Sequence, residues 1–335
     1  MRSSISPAKT TTAMKAVVQH RYGSTEVLSF QDVDKPTVGD GEVLVRIHGA
    51  SVNHADWVYA SGRPLIARLA FGLRTPRNTV RGKDIAGRVE AVGAGVTDFR
   101  PGDEVYGEIE AGGFAEFATV PADLLASKPA NLTFEQAATV PLSARTALQG
   151  LRGGGTIQPG QKVLINGASG GVGTFAIQIA KAFGAEVTGV CSARNAEPVR
   201  ALGADRVIDY TRENFTESGL QYDLIFDSIG NHPLSALRKA LTREGTLVLS
   251  SGTGGRVHGP MGRIVRALVL SRFIRQDLRT VPAKPGRESL DMLRDLIESG
   301  RVTPVIDRTY PLSQVPEAID YFVKDHARAK IAITV

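Results

Sequence analysis

The chain has 335 residues, 42% of them hydrophobic; at roughly 100–200 residues per domain, that is material for two packed cores. Its single cysteine, Cys191, excludes disulfides within the chain and any cysteine-rich zinc site, and it fits a reducing, cytoplasmic setting. With no run of about 18 apolar residues to span a membrane, the net charge of +6 reads best as a soluble enzyme with an anionic cofactor, ahead of a nucleic-acid or lipid-surface protein.

Residues 1–13, MRSSISPAKTTTA, are small, polar and weakly basic; without an apolar centre they read as a disordered tail and not as a secretory signal. Short β-branched runs follow, separated by Gly, Pro and Asp. MKAVVQH (14–20), GEVLVRIHGASVN (41–53), DIAGRVEAVG (84–93), PGDEVYG (101–107) and FAEFATVP (114–121) predict a turn-rich, barrel-like β domain. From about residue 134 the period changes, and FEQAATVPLSARTALQGL predicts helix. Strands at 162–167, 186–191, 206–210, 223–230 and 246–252 then alternate with helices, and a sixth strand is expected near 276–283. Such alternation predicts a parallel, doubly wound sheet. The C-terminal remainder is mixed in character.

The first strand of that series runs directly into glycines, VLINGASGGVG (163–173), with a helix expected from about Val172. A helix start offers free N–H groups and partial positive charge, so it attracts anions. Gly170 and Gly171 remove the Cβ atoms that would keep a pyrophosphate away, Gly173 permits close helix–strand packing, and Gly184 ends the helix. Strict G-x-G-x-x-G spacing is broken at Ala168, but the strand–loop–helix context supports a dinucleotide site in which Ser169, Gly170, Gly171 and Val172 line the pyrophosphate. An NAD site would carry an acidic residue about 20 residues on. Here GVCSARNAE offers Ser192 and Arg194 with no carboxylate before Glu197. An arginine and a hydroxyl suit a 2′-phosphate, so NADPH is the expected cofactor; the competing reading of Arg194 is a solvated helix-start residue.

NGASGGVGTFAIQIAKAFGAEV, LGADRVIDY and YDLIFDSIG, with the upstream SVNHADWVYASGR, RGKDIAGRVEAVGAGV, PGDEVYG and GGFAEFATVP, resemble the medium-chain dehydrogenase/reductase superfamily, in its zinc-independent quinone oxidoreductase (zeta-crystallin-like) branch. The resemblance implies an α/β protein with a GroES-like β-barrel catalytic domain (14–130 and 284–335) and an inserted, doubly wound Rossmann domain (131–283), the active site lying in the cleft between them. It also implies that zinc is missing. Where zinc-dependent relatives carry a cysteine, this chain has Asn53, and their His–Glu pair falls in GKDIAG, with Lys83 and Asp84. Alcohol oxidation needs a Lewis acid for the alkoxide. Hydride addition to a quinone or an α,β-unsaturated carbonyl delocalises the charge, and hydrogen-bond donors suffice.

By the same resemblance Asn53 lies near the nicotinamide, with an amide able to donate to a carbonyl oxygen. Tyr59 is the best proton donor in the sequence, although relatives usually carry their tyrosine one position earlier, where this chain has Val58. Thr146 resembles a threonine beside the nicotinamide, Tyr210 a tyrosine near the adenosine phosphate, and Lys330 a C-terminal lysine that contacts the cofactor. Gly230, Ser251 and Gly252 close the fourth and fifth strands, where the nicotinamide ribose passes. The basic stretch 256–287 has eight Lys or Arg and one acidic residue; its arginines share no helical face, so it is expected to be a helix over the cleft or at a subunit contact. The expectation is a cytoplasmic, homodimeric NADPH-dependent quinone or enone reductase. The alternatives are an enoyl-thioester reductase, an NAD(P)-dependent alcohol or aldehyde oxidoreductase, and a non-enzymatic NADPH- or RNA-binding protein.

Overall fold

The computed structural model describes residues 13–153, 157–250, 259–281, 284–325 and 327–335. The N-terminal part is β-rich: β1 (Ala13–Gln19), β2 (Leu28–Asp34), β3 (Glu42–Val52), β4 (Asp84–Val92), β5 (Glu104–Glu108), β6 (Phe117–Pro121) and β7 (Leu125–Ser127), interrupted by α1 (His54–Ser61) and α2 (Arg68–Phe71). Two helices, α3 (Phe134–Ala138) and α4 (Pro141–Arg152), lead into an alternating region. It comprises β8 (Lys162–Asn166), α5 (Gly171–Ala182), β9 (Glu186–Cys191), α6 (Ala196–Ala201), β10 (Arg206–Asp209), β11 (Tyr222–Asp227), α7 (Leu234–Lys239), β12 (Leu241–Leu249), α8 (Met261–Ser271) and β13 (Asp277–Thr280). Then come α9 (Arg287–Glu298), β14 (Ile306–Pro311), α10 (Val315–Lys324) and β15 (Lys330–Thr334).

The central strands form a six-stranded sheet in the order β10-β9-β8-β11-β12-β13, every pairing parallel. This is the doubly wound order, with its switch point between β8 and β11. A parallel sheet is covered on both faces, so its strands read as continuous apolar runs. In β8, Val163 and Ile165 enter the core shared with α4, α5 and α9, whereas Leu164 enters the core under α7 and α8. In β11, Phe226 takes the first side and Ile225 the second. The β domain is a seven-stranded sheet, β14-β15-β3-β4-β5-β7 with β6 also on β3, beside the β1–β2 ribbon. The chain returns to it at the end: β15 pairs antiparallel with β3, Ile331 opposite Val52.

Several expectations shift. Ala13, assigned to the tail, opens β1, while residues 1–12 lie outside the described residues. The strand expected at 101–107 begins only at Glu104, because Gly102, at φ 97°, makes a turn before it. The single helix expected over 134–151 is two, since Pro141 cannot continue α3 but suits the first turn of α4. Periodicity also passed over β2 and β7, the one largely exposed and the other of only three residues.

Gly150 shows how closely the sheet and its helices approach. A Cβ there would lie 2.3 Å from Phe226 Cε2 and 3.2 Å from Val248 Cγ1, both buried. Gly150→Ala gains about 1 kcal/mol of helix propensity but overpacks a rigid aromatic contact at about 1–3 kcal/mol. The expected net loss is up to about 2 kcal/mol, read as a lower urea midpoint with an unchanged m-value.

Candidate active site

The carboxyl ends of β8 and β11 open at the switch point, where doubly wound sheets bind ligands. Gly167 leaves β8 at φ 91°, and a Cβ on it would meet Ser228 Oγ at 2.5 Å. Gly173 packs onto that turn, its would-be Cβ 2.1 Å from the Gly167 carbonyl. These two glycines are demanded by the chain itself. Gly170 is not: its φ is −83°, and a Cβ would have only the Gly167 oxygen nearby, at 3.4 Å. Free space in front of a glycine at the start of the 12-residue α5 is what a pyrophosphate needs, so these residues fit a dinucleotide.

The loop is held from the other side by the C-terminal strand. Ala329 N–H donates to the Ser169 carbonyl at 2.8 Å, and Ala329 sits at φ 58°, outside the usual range for a residue with a Cβ. Lys330 follows, its Cδ 3.0 Å from where a Gly171 Cβ would be. Its ammonium is buried, 2.5 Å from Asn53 Oδ1 and 3.6 Å from Asp84 Oδ2. Asp84 Oδ2 accepts from Ser51 Oγ and Asn53 Nδ2, each at 2.9 Å, and Oδ1 accepts from the Leu142 N–H of α4 at 3.0 Å. Burial pulls the Lys330 pKa down, against the opposing charges of Asp84 and Asp56.

Asn53 is therefore found differently from expectation. Both ends of its amide are engaged inside the chain, Nδ2 by Asp84 and more weakly by the Ser51 carbonyl at 3.4 Å, and Oδ1 by Lys330. In this arrangement the amide does not donate to a substrate carbonyl; it orients Lys330. Asp56 accepts the Asn53 N–H at 2.7 Å, and its other oxygen has no partner among the described residues. Burial pushes its carboxyl up to about 7, although the Asn53 N–H works the other way. Tyr59 is half-buried, its ring 3.9 Å from that of Phe71, with the Arg81 guanidinium at 5.2 Å and the Lys83 ammonium at 6.0 Å from its centroid. Burial raises its hydroxyl pKa in spite of Lys83, so the phenol holds its proton at neutral pH. Lys83 in turn lies 3.2 Å from Glu108, which also binds Arg145 Nε at 2.7 Å. Trp57 packs against the β-domain core.

Ser192, Arg194 and Tyr210 form a separate group at the ends of β9 and β10. Tyr210 N–H donates to the Cys191 carbonyl at 3.2 Å, leaving its ring 59% exposed. Arg194 is exposed and has no ion pair among the described residues. Asn195, which sequence reasoning missed, links this group to the glycine loop: its Nδ2 donates to Ser169 Oγ at 3.0 Å and to Ser192 Oγ at 3.3 Å. Thr146 spends its hydroxyl proton on the Leu142 carbonyl at 2.6 Å, leaving oxygen lone pairs. Gly230, at φ 75°, donates its N–H to Asp227 Oδ1 at 2.9 Å. Ser251 and Gly252 lie outside the described residues. Also missed was the cluster at the ends of β8 and β11, where buried Asp227 accepts from Asn166 Nδ2 at 2.8 Å and from Arg263 of α8 at 2.6 Å. The available signal was polar residues ending apolar strands.

Two family models match: the alcohol dehydrogenase GroES-like domain over residues 39–130 and a family described as zinc-binding dehydrogenase over 202–333. The chain is similar to the mitochondrial NAD(P)H oxidoreductase RTN4IP1 of Bos taurus, 36% identical over 358 aligned positions covering 97% of this chain and 90% of the relative. It is 33% identical to the chloroplastic NADPH-dependent alkenal/one oxidoreductase of Arabidopsis thaliana, over 96% of this chain and 79% of that protein. The crystal structure of Escherichia coli quinone oxidoreductase complexed with NADPH superposes with a TM-score of 0.83 at 26% identity, covering 96% of this chain and 100% of the other. With the doubly wound sheet, the returning β15 and the glycine loop, these likenesses settle the family: the chain belongs to the medium-chain dehydrogenase/reductase superfamily, in its quinone oxidoreductase branch.

Proposed function

We propose that the protein is an NADPH-dependent reductase of quinones or α,β-unsaturated carbonyls. The observation that carries this reading is the open glycine loop at the switch point, set against a buried lysine–carboxylate network, in a chain similar to NADPH-using quinone and alkenal/one reductases. NADPH, when bound, supplies the hydride. Ser169, Gly170, Gly171 and Val172 would line its pyrophosphate, the Gly170 N–H being engaged by the Gly167 carbonyl at 3.1 Å, and Gly230, Thr146, Ser251 and Gly252 would flank the nicotinamide half. Ser192, Arg194 and the exposed Tyr210 would hold the adenosine end, with Arg194 on the 2′-phosphate. Lys330, oriented by Asn53 and Asp84, would face the cofactor. Tyr59, kept protonated, would supply the proton that completes reduction of a carbonyl or enolate oxygen.

The same reading takes the reaction to be metal-free. At the positions where a zinc set would lie, Lys330 already stands against Asp84, and that carboxylate is saturated by Ser51, Asn53 and the Leu142 N–H. Neither an amide spent on its neighbours nor the Lys83 ammonium suits zinc. The proposal keeps the division into 14–130 with 284–335 and 131–283. It includes a homodimer, for which β13 offers an open sheet edge, and a reducing compartment such as the cytoplasm for the buried Cys191 thiol. No helix among the described residues is long and apolar enough to cross a membrane.

The test is NADPH consumption against quinones, enones, enoyl-thioesters and aldehydes, with and without a chelator. Turnover confined to quinones and enones and indifferent to the chelator is expected; aldehyde reduction abolished by the chelator would overturn the reading. Arg194→Ala is expected to lower kcat/KM for NADPH about 10–100-fold, the worth of a charge-assisted phosphate contact, and to leave NADH nearly unaffected. Tyr59→Phe is expected to lower kcat with enones at least about tenfold without raising KM for NADPH; an unchanged kcat would remove the proton role. Asp56 has a folded pKa of about 7 against an ordinary 3.8, so from about pH 4 to 7 the unfolded chain loses a proton that the folded chain keeps. Its contribution to stability therefore falls as pH rises through that window. Asp56→Asn should flatten the slope, gaining up to roughly 4 kcal/mol relative to the parent at pH 8, as read by melting at several pH values.

A further inference from the structure

Three Lys or Arg side chains are buried among the described residues: Arg81, Arg145 and Lys330. Arg145 stands against Glu108, and Lys330 against Asp84. Arg81, only 4% exposed, forms no ion pair with a described residue, and its Nη2 has no hydrogen-bond partner among them. A buried charge is costly unless it is paired, and arginine does not escape that cost by losing its proton. This unpaired cation stands at the candidate active site, its guanidinium carbon 5.2 Å from the centroid of the Tyr59 ring.

Its place is fixed by Gln19, the fully buried last residue of β1. Gln19 Nε2 donates to the Ala60 carbonyl at 2.8 Å and to the Arg21 carbonyl at 2.9 Å. With both amide protons engaged, Gln19 turns its oxygen toward Arg81, and Oε1 accepts from Arg81 Nε at 3.1 Å. Ala60 follows Tyr59 in α1, so one side chain ties the guanidinium to the turn that carries the phenol. Phe71 also packs on that ring, 3.9 Å between centroids, so Tyr59 is flanked by an apolar ring and a cation. Lys83 is the other cation nearby, 6.0 Å from the same centroid, but Glu108 lies 3.2 Å from its ammonium and offsets it. The remaining ionisable groups that bear on the pair are Asp56 and Glu110, which oppose ionisation of Tyr59, and Tyr22, which acts on Arg81.

We propose that Arg81 is a positioning residue for proton transfer, its unpaired charge held against the Tyr59 ring to stabilise the phenolate formed when Tyr59 gives up its proton. In that step the Tyr59 O–H bond breaks and the proton goes to the enolate or quinol anion of the reduced substrate. The negative charge passes to the phenolate oxygen until water returns a proton. A guanidinium already paired with a carboxylate would respond little to this change. Arg81 acquires an anionic neighbour only at this stage, and an interaction stronger there than in the resting state is one that speeds the step. Before the transfer, cation–aromatic attraction holds the same two groups together. An anionic group of the substrate is a poorer partner, because Arg81 Nη2 is closed off from solvent. This role depends on Tyr59 being the proton donor proposed above, but the acidity of Tyr59 can be measured with no substrate present.

The experiment is a tyrosinate titration of the full chain by ultraviolet absorbance, in which subtracting the same chain carrying Tyr59→Phe isolates the Tyr59 midpoint. Arg81→Gln removes the charge and keeps a donor for Gln19; it should raise that midpoint by about one pH unit or more. Gln19→Glu sets a carboxylate against the retained guanidinium and should raise it likewise. Arg81→Lys keeps the charge and should leave it close to the parent's. In turnover with an enone, Arg81→Gln should lower the plateau of kcat about tenfold and move its alkaline limb to higher pH, with KM for NADPH unchanged, and Arg81→Lys should recover most of kcat. A Tyr59 midpoint that neither Arg81→Gln nor Gln19→Glu moves would falsify the proposal while leaving Tyr59 as the donor. Loss of the folded state in both variants would assign Arg81 to the fold and overturn it too. An unchanged kcat in Tyr59→Phe would instead remove the donor, and the role of Arg81 with it.

Discussion

One buried carboxylate organises the candidate site. Asp84 has no solvent exposure, and an ionised group in that position is costly unless every lone pair is answered. The answers come from four parts of the chain: Ser51 at the end of β3, Asn53 just after it, the Leu142 N–H in the first turn of α4, and Lys330 at the start of β15. The β domain, the first long helix on the cofactor side and the returning C-terminal strand thus meet at one charge. Removing either charged partner would leave the other buried and uncompensated, so this pair is a constraint on geometry more than a source of net stability.

The constraint extends to the cofactor loop. Ala329, at φ 58°, donates to the Ser169 carbonyl, and the next residue, Lys330, reaches Asn53. The lysine stem then runs past Gly171, where a Cβ would crowd it at 3.0 Å. Asn195 continues the chain of contacts from Ser169 to Ser192. The glycine loop and the end of β9 therefore share a framework of hydrogen bonds, with Ser169 in the middle. Loops that must stop at fixed distances from a rigid ligand need such a framework, because their own backbones supply little of it.

What could be read in the sequence was what repeats or breaks a pattern. The continuous apolar runs of β8, β9 and β11 and the helices between them reported a sheet covered on both faces, and the glycine cluster marked its switch point. Strands β2 and β7 lacked that signal. The site was half legible. Glycines and strand ends carry local signatures, whereas Asp84 read only as the residue where zinc was missing. Its role depends on partners 31 and more positions away, Asn53 and Leu142 among them. Asn53 stood out as a position, but its partners Asp84 and Lys330 did not, since nothing local says which way an amide turns. Arg263 drew attention as part of a basic run, yet its bond to Asp227 joins two elements that only the fold brings together.

The network also bears on the choice of chemistry. On the reading proposed above, the positive charge at this position is the Lys330 ammonium and not a metal ion. An ammonium already held by Asn53 and weakened by burial stabilises a developing oxyanion far less than a Lewis acid with an open coordination position does. A reaction that localises full negative charge on one alkoxide oxygen would be poorly served by it. A quinone or conjugated carbonyl spreads that charge over its own π-system as the hydride arrives, so the demand on the protein falls to orientation and one proton. The half-buried phenol of Tyr59, whose pKa is raised by burial, can meet such a demand, and a saturated Asp84 can do no more than hold its neighbours still.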